Sequence, residues 1–160
     1  LLPLLGGASR VQGLAAILVE RFREAAAVLT SGWRGDVDAL VESGTVLAGL
    51  GDGLTPAGDD FLVGVMLWAW LAHPTPERFC QLVFEAAAPW TTTLSAAFLR
   101  AAAGGECSAS WHCLLAALKG HEPASLVAAV RDVLAQGSTS GADALAGFLW
   151  MGLPPLVPSF

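Results

Sequence analysis

Residues 49–71 read GLGDGLTPAGDDFLVGVMLWAWL. The stretch opens as a glycine loop, passes Thr55-Pro56 and the adjacent acids Asp59 and Asp60, and then turns apolar. The apolar run, residues 61–72, is bounded by Asp60 and by His73-Pro74. A membrane-spanning helix needs ~20 apolar residues, and this run is far shorter. It therefore reads as a core helix opening at Pro56, and a membrane span is the lesser alternative despite a mean hydropathy of +0.60.

On both sides of this stretch the signals are helical. Leu14, Ile17, Leu18, Phe22, Ala25 and Leu29 recur at three- and four-residue steps, which predicts one apolar stripe on a helix from a Ser9 cap to Thr30. GDVDALVESG predicts a short helix opened by Asp36 and closed by Gly44. Thr75-Pro76 offers a cap and a first-turn proline, and further helices start at Thr91 to Thr93, after Ser108, at Pro123 and near Ser138 to Ser140. Prolines keep the tail LPPLVPSF out of a helix. Only residues 45–50 hint at a strand. The expected fold is all-α: a compact multi-helix domain of short, Ala/Gly-rich packed helices.

Composition narrows the function. The 160 residues are 54% hydrophobic and only 14% charged, against about 25% charged for a common soluble domain. That poverty of charge fits closely packed small-residue helices, or a surface covered by something else. The chain is expected to be a single helical domain, residues 1–160, forming the C-terminal part of a longer protein. The net charge of −6 leaves no basic stripe for nucleic-acid phosphates. No signal peptide is visible. Cys80, Cys107 and Cys113 form no C-x-x-C pair, which suits reduced thiols, packing roles and a cytoplasmic location, and makes a zinc site a poor fit. His73, His112 and His121 are scattered and read as loop or surface residues. Trp68 and Trp70 fall on different helix faces, so one of them is available to another domain or subunit.

A short internal match bears on both fold and site. GDDFLVG at residues 58–64 and GADALAG at 141–147 both fit G-x-D-x-L-x-G or its near variant, each preceded within three residues by a threonine. Asp60 and Gly64, like Asp143 and Gly147, share a helix face. Two helices related by a pseudo-twofold and meeting at Gly64 and Gly147 would account for the match. A match this short also arises by chance.

The chemistry concentrates at helix starts. Gly49, Gly51 and Gly53 permit close backbone approach, Thr55 can cap the following helix, and its first-turn N–H groups form an anion-friendly mouth. The plainer account is a capped turn with two acids complementing the helix dipole. Adjacent acids point about 100° apart on a helix, so on a buried helix at least one needs a partner. With Asp52 they could hold Mg²⁺, although no fixed-spacing metal motif is present. An aspartate accepting from loop N–H groups, and so shaping a polar pocket, fits better. Thr91 to Thr93 with Ser95, and Ser138 to Ser140 with Asp143, give two more hydroxyl-rich mouths. Each alone is an ordinary cap; together they suggest convergence on one small anion. Arg100 could meet an anion, with a solvated arginine as the default.

GLGDGLTPAGDDFLVG, TTTLSAAFLRAAAGGE and GSTSGADALAGFL resemble, in that order, the sequence blocks of the AllH-like family, once a domain of unknown function. The resemblance covers residues 49–149. It implies a subunit of the oxamate carbamoyltransferase of anaerobic allantoin degradation, a branch of purine catabolism, acting by phosphorolysis of oxalurate to oxamate and carbamoyl phosphate. Matched by position and by the helix-mouth chemistry, Asp59 and Asp60 are the candidate catalytic residues. Gly51, Gly53, Thr55, Gly58, Thr93, Ser95, Ser140, Gly141 and Asp143 are the candidate substrate-binding residues. The third block departs from the family in having Gly137-Ser138-Thr139 where a histidine is often found. No metal is assigned, the cofactor is unknown, and Mg²⁺ stays open. A small anionic ligand, other enzyme subunits and a homo-oligomer are the expected partners, with no nucleic acid and no membrane. The alternative function is a non-catalytic anion- or Mg²⁺-binding helical scaffold or regulatory module of a larger complex.

Overall fold

The computed structural model describes residues 14–120 and 122–152. The expected Ser9 cap, the non-helical tail at 153–160 and the placement of His121 lie outside the described residues. Among the described residues there are eight α-helices: α1 (Leu14–Trp33), α2 (Val37–Leu47), α3 (Ala57–Ala72), α4 (Pro76–Ala87), α5 (Thr93–Ala103), α6 (Ala109–Gly120), α7 (Pro123–Leu134) and α8 (Ser140–Gly152). A 3-10 turn, Ala88–Trp90, joins α4 to α5. The all-α expectation holds, and residues 45–50 belong to the end of α2 and the turn after it.

Helix α3 lies at the centre. Phe61, Leu62, Val65 and Met66 belong to one apolar cluster with Phe22, Leu29, Leu47 and Val83. Leu67 belongs to a second cluster with Trp111, Leu114, Val133 and Phe148. A helix enclosed on several sides must be apolar on several sides, which explains a run with little polar face. Trp68 packs edge-on against Phe148, with ring centroids 5.1 Å apart. The Trp70 indole N–H donates to the Ala102 carbonyl at 2.9 Å. Both tryptophans thus pack within the chain and are half-buried.

The stripe on α1 packs through Phe22, Ala25, Ala26 and Leu29, but Ile17 is 60% exposed and Leu18 38%. Gly44 does not close α2. It lies inside the helix, where an added Cβ would stand 3.1 Å from Ala86 Cβ, so it brings α2 close to α4. His73 is no plain surface histidine: its ring lies 4.8 Å from that of Trp33 and 4.7 Å from that of Phe79, and Nε2 reaches the Trp33 carbonyl at 3.2 Å. His112 is exposed. Cys113 is also exposed and is not a packing residue.

The internal match proves to be structural. Helices α3 and α8 form the most extensive helix pair. A Cβ on Gly64 would sit 1.8 Å from the Ala144 carbonyl oxygen, and a Cβ on Gly147 would sit 2.0 Å from that of Phe61. Phe61 and Ala144 occupy equivalent places in the two segments, so the contacts are reciprocal, as a pseudo-twofold requires. The relation extends outward. Gly58 lies against the Leu47 carbonyl at the end of α2, and Gly141 against the Val133 carbonyl at the end of α7. The Gly58 N–H donates to the Leu50 carbonyl at 2.9 Å, and the Gly141 N–H to that of Gln136 at 3.0 Å. Each half is therefore a helix, a turn and a glycine-entered helix.

Candidate functional site

The two related turns come together at the entrances of α3 and α8. Pro56, not Thr55, takes the cap position of α3, and no side chain caps that end. The Thr55 hydroxyl is instead 2.9 Å from the Ser140 hydroxyl across the pseudo-twofold. The Gly58 N–H, which a capping side chain could have met, donates to the Leu50 carbonyl at 2.9 Å. The threonine is thereby released to the facing helix.

The entrance of α5 joins the same assembly. The Thr92 side chain accepts from the Ser95 N–H at 3.1 Å and donates to the Leu54 carbonyl at 2.7 Å. Thr91 donates to one oxygen of Asp59, whose other oxygen accepts from the Gly49 N–H at 3.0 Å. Gly49 has φ 67°, and an added Cβ would meet the Trp90 carbonyl at 2.6 Å, so only glycine fits there. Asp59 is 1% exposed and fastens the glycine loop to the segment before α5. This is the loop-shaping role that sequence chemistry suggests for an acid here.

Asp60 is different. It is 9% exposed, and its Oδ2 has no hydrogen-bond partner among the described residues. Burial pushes its carboxyl up to about 6; the Ser140 and Thr55 hydroxyls oppose the shift by hydrogen bonding, while the charges of Asp143 and Asp59 add to it. Asp143, 2% exposed, is its counterpart on α8.

Asp60 lines a pocket of about 570 Å³. Thr55, Gln136, Gly137, Ser140, Glu106 and Ser108 supply its other polar edges, and Val63, Leu67, Phe98, Trp111 and Ala144 supply apolar wall. That size is within the range of small-molecule sites. Of the sequence candidates, Thr55, Asp60 and Ser140 line it. Gly51 and Gly53 are exposed on the loop with φ 121° and 104°, and Gly58 and Gly141 serve helix packing. Thr93 is exposed outside the pocket, and Ser95 is buried with its hydroxyl unpartnered.

Sequence reasoning missed the opposite side. The Gln136 side-chain amide donates to Ser108 at 2.7 Å and also to Ser110. Ser108 precedes α6 and offered an ordinary cap signal; Gln136 offered none, because its place depends on α7 packing beside α6. No lining residue is Arg, Lys or His. Arg100, exposed, lies over the Phe84 ring at 5.9 Å. Among the described residues no group of three His, Cys, Asp or Glu could hold a metal ion, and Asp52 is exposed on the loop. All three cysteines are free; burial pushes the Cys80 thiol up to about 12, and burial also raises that of Cys107. None of the described helices is long and apolar enough to cross a membrane.

Fold and site together define an all-α domain with an acid-bearing pocket where helix N-termini meet. The family model of the oxamate carbamoyltransferase subunit AllH matches residues 47–152, which spans the glycine loop, the described pocket lining and helices α3 to α8 but leaves out α1 and nearly all of α2. The chain belongs to that family, and as an enzyme subunit it has other subunits beside it. No solved structure matches it.

Proposed function

We propose that this chain supplies the small-substrate pocket of an oxamate carbamoyltransferase, with Asp60 as its acid–base group. The observation that carries the reading is the buried, unpartnered Oδ2 of Asp60 in the wall of a pocket framed by the Thr55 and Ser140 hydroxyls. A carboxyl raised to about 6 exchanges its proton near neutral pH. The family description supports oxamate as a ligand class. Its chemistry suits the site: a carboxylate that the Thr55 and Ser140 hydroxyls can meet, and an amide whose N–H can meet Asp60.

In the direction of phosphorolysis, a phosphate oxygen attacks the carbamoyl carbon of oxalurate. The bond from that carbon to the oxamate nitrogen breaks, and the nitrogen takes up one proton. The attacking phosphate gives up one proton, so the sum balances as oxamate plus carbamoyl phosphate. In this reading Asp60 passes that proton. Asp59 holds the loop that carries Thr55 and acts as a positioning residue.

Thermal unfolding of the purified chain tests the pocket, using oxamate, carbamoyl phosphate or inorganic phosphate against sodium chloride at matched ionic strength. Ligand at 100 times its Kd stabilises by about 2.7 kcal/mol. The expected result is a rise with oxamate or carbamoyl phosphate that Ser140→Ala diminishes, together with loss of turnover in the assembled enzyme on Asp60→Asn. Turnover unchanged in Asp60→Asn would remove the acid–base role and leave a scaffold that binds the anion without chemistry.

A further inference from the structure

Among the described residues, the pocket has an electrostatic deficit that its lining does not correct. Two carboxylates, Asp60 and Glu106, line it, and no lining residue carries positive charge. Anionic ligands, and charge developing on a phosphoryl or carbonyl oxygen, call for donors or cations close by. Helix N-termini supply only partial charge.

Exposed apolar residues lie on the segments next to the same pocket. Phe98 lines the pocket and is 51% exposed. Leu94, one helical turn earlier on α5, is 44% exposed on the same face. Trp90 is 64% exposed; its carbonyl abuts Gly49 of the glycine loop. Leu54 is 76% exposed, with its carbonyl bonded to Thr92 at the start of α5. These four side chains follow the loop and helix that border the pocket. Exposed apolar residues with aromatic members, gathered on neighbouring backbone, mark an interaction site.

We infer that the Leu54–Trp90–Leu94–Phe98 face docks another subunit of the same enzyme, which places an arginine or lysine over the Asp60 pocket. The inference rests on the proposed function for the chemistry of the ligand. The acidic, cation-free pocket beside the patch argues for a partner whose docking surface is apolar with a basic side chain at its edge. A second copy docked through the identical face would bring no such complement, because among the described residues the pocket lining beside that face has no Arg, Lys or His.

The test reconstitutes the full chain with the other subunits of its enzyme and measures assembly by light scattering and titration. Leu94→Asp and Trp90→Ser should each weaken assembly about tenfold or more, in the range of a central interface residue. Val127→Asp, on the exposed face of α7, should not. Each variant chain should keep the parent unfolding midpoint. Inorganic phosphate should bind the assembled enzyme at least about tenfold more tightly than the isolated chain, as expected when an ion pair is completed. Assembly of Leu94→Asp at parental affinity would overturn the proposal, as would failure of the parent chain to assemble with any other subunit. A self-dimer that Leu94→Asp dissociates, with assembly unaffected, assigns the face to a second copy and likewise overturns it. Asp60→Asn keeps the two readings apart: it should assemble normally, and its turnover reports on the acid–base role alone.

Discussion

The half built from α2 and α3 and the half built from α7 and α8 share a frame but differ where function gathers. Both enter the second helix through a glycine laid on a carbonyl, Gly58 on Leu47 and Gly141 on Val133. Both carry a buried aspartate two residues later, Asp60 and Asp143. The first turn is longer, residues 51–56 against 137–139. The first half also has Asp59 where the second has Ala142. The two differences belong together. A longer glycine-rich turn loses more entropy on ordering, and Asp59 offsets this by tying Gly49 and Thr91 to the helix. The second turn is short enough to need no such fastening. Duplicated geometry supplied the frame, and the asymmetric loop supplied the pocket edge.

The frame is broken most severely by Gly64→Ala or Gly147→Ala. Alanine would favour an isolated helix by ~1 kcal/mol, but each Cβ would meet a backbone carbonyl at 1.8 or 2.0 Å. Backbone cannot rotate away as a side chain does, so the helices must part. Each variant should lose about 3 kcal/mol or more in urea denaturation. Similar losses at both sites support the pseudo-twofold; a large loss at one and none at the other would contradict it.

Asp60→Asn sharpens the functional side. With its carboxyl raised from 3.8 to about 6, the folded chain keeps a proton that the unfolded chain releases first. The contribution of Asp60 to stability is therefore greatest below pH ~4 and falls as pH rises through ~6, by up to about 3 kcal/mol, less whatever solvent screening remains. Asparagine should flatten that fall and make the chain more stable at neutral pH while turnover is lost. Parallel pH–stability curves for parent and variant would show that Asp60 is not the titrating group.

Asp59→Ala should have the opposite sign. It strands the Gly49 N–H and the Thr91 hydroxyl, costing about 1–3 kcal/mol, and should expose residues 49–56 to limited proteolysis. Resistance equal to the parent would mean that the loop holds its shape without the acid. The smallest effect is expected from Thr55→Val, about 1 kcal/mol, because Ser140 keeps its hydrogen bond to Asp60 when the Thr55 hydroxyl is lost. Chemical denaturation at neutral pH measures it.

The pocket was only half legible. Thr55, Asp60 and Ser140 stood out because hydroxyls and acids at helix starts are a local signal. Gln136, Trp111 and Phe98 did not, since they line the pocket through the packing of α5, α6 and α7. The cap at Thr55 was misread for a related reason: its facing partner, Ser140, lies 85 residues away.

What the sequence determined by itself follows from short-range physics. Periodic apolar residues, first-turn prolines and terminal glycines specify helices, and the apolar run of α3 specifies burial on several sides. Which aspartate became a fastener and which kept a raised, exchangeable proton was decided by tertiary structure alone. The two are adjacent and chemically identical. Asp59 reaches donors brought to it by the fold, while Asp60 feels the charge of Asp143 and lines a pocket, where one of its oxygens has no partner among the described residues.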